Sequence, residues 1–151
     1  MRQSHFYTKL FTLAVLVTRC VASCSASPEA PTDTCGPIDH ITLCAPFLTP
    51  EETDLAERVW GAVIDCDDPE AIQVQIEGLK GNVGEAGIPE QVVYLDPSAW
   101  DQPLGVGPTL AHEIGHLRGF DHDPGPCDLM AGSAPSRACR VLSIDGCEYV
   151  P

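Results

Sequence analysis

The stretch His112-Glu113-Ile114-Gly115-His116-Leu117-Arg118-Gly119-Phe120-Asp121-His122 decides how the rest of the chain is read. On a helix, residues four apart stand one above the other, so His112 and His116 share a face. Two imidazoles at that spacing can close on one Zn²⁺, with Glu113 beside the coordination position they leave open. Gly119 follows one turn later, where a left-handed residue stops a helix and turns the chain back. That return carries His122 toward the same ion as a third ligand. Leu110, Ile114 and Leu117 recur at helical spacing, so the helix that carries the histidines buries another side.

Upstream, residues 91–96 (QVVYLD) read as a strand rich in β-branched and aromatic residues. Ile72, Val74 and Ile76 alternate with polar residues, the pattern of a strand with one buried face. Residues 78–87 hold four glycines and little apolar content, which predicts a loop or an irregular hairpin. Residues 49–65 predict a helix. Thr49 is its N-cap, Pro50 its first residue, and Glu52 completes a capping box. Leu55, Val59 and Val63, flanked by Ala56, Trp60 and Ile64, make its core-facing stripe. Residues 40–44 (HITLC) suggest a short strand. The acidic residues Asp65, Asp67, Asp68 and Glu85 lack the spacing of a Ca²⁺ loop. Residues 123–126 make a tight turn, and the tail holds a short helix or strand. The fold class is α+β. A small mixed, twisted sheet carries a backing helix and an active-site helix, with a disulfide-stapled C-terminal piece.

The start of the chain reads as an export signal. Arg2, His5 and Lys9 form a basic beginning, and the apolar run 10–18 is too short to span a bilayer. Val21-Ala22-Ser23-Cys24 resembles the bacterial lipobox. That resemblance implies a signal peptide over 1–23, lipid attachment at Cys24, and membrane contact only through the N-terminal anchor. Ordinary cleavage near Ala22 or Ala26, with free secretion, is the alternative. Residues 24–34 then form a flexible tether and 35–151 the catalytic domain.

Export accounts for the cysteines. Cys35, Cys44, Cys66, Cys127, Cys139 and Cys147 remain, an even set that suggests three disulfides with the pairing left open. No CxxC pair is present to favour a cysteine zinc site. All 22 acidic residues of the chain, but only five of its eight basic ones, lie after Cys24. A surface this negative repels phosphate backbones and excludes nucleic acid as a partner. It reads first as a solvated acidic surface that favours solubility, and second as a preference for cationic substrates. Oligomeric state is left open.

Residues 112–122 match HExxHxxGxxH, the signature of the metzincin metallopeptidases, at all five fixed positions. HEIGH followed by LRGFDH looks most like the matrixins, while Asp123 after the third histidine looks more like the adamalysins. Metzincins share a methionine-bearing turn beneath the metal, and Met130 stands at a similar interval. The resemblance implies one catalytic zinc on His112, His116 and His122, with Glu113 as the general base and Gly119 as the structural turn. It also implies a peptide or protein substrate lying as an added strand along a sheet edge, with residues 131–135 walling one pocket. Cys35-Gly36-Pro37-Ile38-Asp39 partly resembles the matrixin cysteine switch, which would make Cys35 a thiol switch rather than a disulfide partner. Two functions follow from these residues: an exported zinc endopeptidase, or a non-catalytic zinc-binding interaction lipoprotein on the same scaffold. Hydrolysis of a non-peptide amide is a third. An intact Glu113 favours catalysis, because binding a metal alone needs no base there.

Overall fold

The computed structural model describes residues 31–151. The signal segment 1–23, Cys24 and most of the tether lie outside the described residues. A five-stranded mixed sheet comprises β1 (Thr42–Cys44), β2 (Val63–Ile64), β3 (Ile72–Ile76), β4 (Gly84–Gly87) and β5 (Val92–Leu95), in the order β2-β1-β3-β5-β4. β2, β1, β3 and β5 run parallel, and β4 pairs antiparallel with β5 at one edge. Two α-helices, α1 (Pro50–Trp60) and α2 (Val106–Leu117), accompany the sheet. A hairpin of β6 (Leu142–Ile144) and β7 (Cys147–Tyr149) completes the described chain.

α1 starts as its sequence dictates. Thr49 caps the backbone N–H of Glu52, and the Glu52 carboxylate returns a hydrogen bond to the Thr49 N–H at 2.7 Å. Its end corrects the predicted span of 49–65. Gly61 adopts a left-handed conformation (φ 59°), its N–H bonds back to the helix, and the chain leaves as β2. Val63 and Ile64, assigned to the helical stripe by periodicity, are therefore 62% and 44% exposed on an edge strand. The rest of the stripe is as predicted: Leu55, Ala56, Val59 and Trp60 are buried. Trp60 is fully enclosed and its indole N–H donates to the Ala111 carbonyl at 2.8 Å, fastening α1 to α2.

β3 and β5 fall where alternation and β-branching place them, but of the β3 face expected to be buried only Ile72 and Val74 are, and Ile76 at the strand's end is 52% exposed. The glycine-rich stretch 78–87, expected as a loop or an irregular hairpin, contributes β4. The tail forms a hairpin rather than a single element. Three disulfides close the described chain: Cys35–Cys147, Cys44–Cys66 and Cys127–Cys139. Cys35, read as a possible thiol switch, is thus bonded to the C-terminal hairpin and offers no free thiolate here. Asp33 and Thr34, within the stretch expected as a tether, are hydrogen-bonded to the folded part. The Asp33 carboxylate accepts from Arg58 at 2.8 Å and from the Val150 N–H, and the Thr34 N–H donates to the Glu148 carbonyl. Burial pushes the Asp33 carboxyl up, but the Arg58 hydrogen bond, the Val150 N–H and the Arg58 charge outweigh it and leave its pKa lowered.

Candidate metal centre

α2 presents His112 and His116 one turn apart, and their Nε2 atoms are 3.1 Å from each other. The helix ends at Leu117. Gly119 takes φ 87°, which a side chain would strain, and the Phe120 N–H bonds back to the Gly115 carbonyl at 3.0 Å. The chain then brings His122 Nε2 to 3.1 Å from His116 Nε2. One ligand atom from each histidine lies within 4.8 Å of the others, an arrangement that can hold a metal ion.

The hydrogen bonds decide which ring nitrogens face inward. His112 Nδ1 lies 2.7 Å from the Leu129 carbonyl, and His116 Nδ1 lies 2.9 Å from the Phe120 carbonyl. A carbonyl only accepts, so each Nδ1 carries the hydrogen and each neutral ring turns an Nε2 lone pair inward. Two such lone pairs at 3.1 Å cannot hydrogen-bond to each other. A cation between them relieves the repulsion, and backbone carbonyls on the outer nitrogens are the usual support for metal-binding histidines. Burial, opposed by the Leu129 hydrogen bond, lowers the pKa of His112 and favours the neutral ring a metal needs. The donor set fits a zinc ion.

The loop after His122 is tied to the helix at several points. The Asp123 N–H donates to the Met130 carbonyl at 2.9 Å, and the Met130 N–H donates to Asp128 Oδ1 at 2.8 Å. Met130 is buried with its sulfur against Gly115, where an added Cβ would collide with it. Cys127–Cys139 closes the loop that contains Met130 and residues 131–135. Tyr149 is fully buried and its hydroxyl donates to the Gly36 carbonyl at 2.8 Å.

Glu113 is only 6% exposed, and burial, with the Glu85 charge adding to it, raises its carboxyl to about 7. It borders a cleft of about 520 Å³ between β4 and residues 131–135, floored by α2 and the histidines. Gly84 and Glu85, in the stretch expected as a loop or an irregular hairpin, help to form that cleft. A Cβ at Gly84 would stand 2.7 Å from Glu113 Oε1 and 2.8 Å from Thr109 Cγ2. Glycine therefore lets the edge strand approach the carboxylate. The only signal for this in the sequence is a small residue two positions before Ala86, beside a strand that needs an edge partner.

No protein-family model matches the chain. A stretch of 44 residues is 43% identical to a segment of the disintegrin and metalloproteinase domain-containing protein 33 of Homo sapiens. That stretch is 29% of this chain and 5% of the human protein.

Proposed function

We propose that this chain is an exported zinc-dependent endopeptidase of metzincin type. The observation that carries the proposal is the inward-turned histidine triad, with a buried carboxylate next to it on the same helix. The partial likeness to a protein named for its metalloproteinase domain supports the same reading. His112, His116 and His122 would hold one Zn²⁺. When bound, the ion supplies Lewis acidity that polarises the peptide carbonyl and acidifies the attacking water.

The remaining roles belong to the chain. Glu113 takes the proton from the attacking water and passes it to the leaving amine. A carboxyl raised toward neutrality accepts a proton more readily than an ordinary one. β4 is an outer strand of the sheet and can pair with an extended substrate, while residues 131–135 wall the opposite side. Gly119 turns the chain, and Met130 supports α2 from below. Three disulfides suit an oxidising compartment, reached through the 1–23 signal and held at the membrane by lipid on Cys24.

A chelation experiment on a mixed peptide library tests this. Cleavage should disappear on metal removal and return with added Zn²⁺. Cleavage that survives complete metal removal would overturn the proposal.

A further inference from the structure

The cleft beside the histidines is lined largely by small and apolar residues, including Val83, Ile88, Pro108 and Leu129. Its carboxylates are Glu113 and Glu85, and no lysine or arginine lines it among the described residues. Glu85 sits on β4 and is exposed. Among the described residues its carboxylate has no ion-pair partner, since the three bridges found involve Asp33, Asp54 and Asp39. Glu85 borders the cleft.

We infer that the outer face of the edge strand beside the cleft selects extended peptide segments carrying a lysine or arginine close to the cleaved bond, and that Glu85 makes that selection. This rests on the peptidase reading above. Side chains of a strand alternate between faces, and Gly84 faces α2, where its Cβ would meet Glu113 and Thr109. Glu85 therefore belongs to the other face of the edge strand. A substrate strand laid beside β4 sets one of its own side chains next to Glu85 on that outer face, at cross-strand distance. A lysine or arginine there rests its apolar stem along the strand and keeps its charged end partly in water. Little desolvation is needed, and an acidic residue at the same place is repelled by Glu85. The acidic balance of the whole chain acts in the same direction at longer range.

The experiment compares zinc-loaded wild type, Glu85→Gln and Glu85→Lys on peptides differing at one position by Lys, Gln or Glu. Two readouts are taken: cleavage efficiency, and equilibrium binding of fluorescent versions to a Glu113→Ala background. Wild type should favour Lys over Gln by about two- to fivefold, the upper end for one exposed ion pair. The preference should shrink as salt is raised. Glu85→Gln should abolish it and Glu85→Lys should reverse it toward Glu. Equal treatment of the three peptides by wild type, or an unchanged preference in Glu85→Gln, would overturn the inference. Absence of all cleavage would refute the peptidase reading alone, and the binding measurement would still decide the role of Glu85.

Discussion

The two sides of the metal centre are built differently. His112 and His116 come from a helix locked into the main core by Trp60, Leu110 and Ile114, all fully buried. His122, Met130 and the cleft wall come from a loop held by carboxylate and carbonyl hydrogen bonds and by Cys127–Cys139. Apolar packing fixes the first pair before any ion binds. The second side depends on a local covalent closure, so its geometry and the fold's stability can be altered separately.

The largest effect should separate the histidines. His116 is the central one, with its Nε2 3.1 Å from both of the others. His116→Ala should abolish stoichiometric zinc, whereas His122→Ala should leave weaker binding by the helical pair. Equal zinc loss in the two variants would remove the distinction between the two sides.

The disulfides come next. Cys35–Cys147 spans 112 residues of sequence and Cys127–Cys139 spans 12. On chain-entropy grounds, their removal costs about 5 and about 3 kcal/mol respectively. Serine substitution of the first pair should give the greater loss in denaturant titrations with zinc affinity unchanged. Substitution of the second should lower zinc affinity despite the smaller loss. The reverse pattern would show that the loop needs no closure to place His122.

Acidity tests the helical side. Glu113 is raised from 4.5 to about 7, so within that window the folded metal-free chain holds a proton the unfolded chain has released. Stability should therefore fall as pH rises across the window, by up to about 3 kcal/mol, and Glu113→Gln should flatten the curve. Parallel curves for the two proteins would mean that Glu113 is not buried as described. A smaller effect is expected at Gly84. Gly84→Ala forces the edge strand or Glu113 to move and should cost about 1–3 kcal/mol, seen as slower cleavage with zinc content unchanged.

The same division explains what could be read in the sequence. The histidine pair and its turn are local, because a spacing of four and a glycine suffice to place them. The capping box of Thr49 and Glu52 was legible for the same reason, as were the alternating β3 and β-branched β5. Extending α1 through Val63 and Ile64 gave too much weight to apolar periodicity and too little to Gly61 as a left-handed stop. β4 carries no apolar alternation, since its role is to bring backbone close to Glu113, and that need is set by α2. The docking of Asp33 on Arg58 and the pairing of six cysteines join distant parts of the chain, about which local pattern is silent.

The most direct measurement counts bound zinc and peptide cleavage on the same samples of wild type and Glu113→Ala. One zinc per chain is expected in both proteins, with cleavage in the wild type alone. Stoichiometric zinc with cleavage in neither protein, or equal cleavage in both, would contradict it.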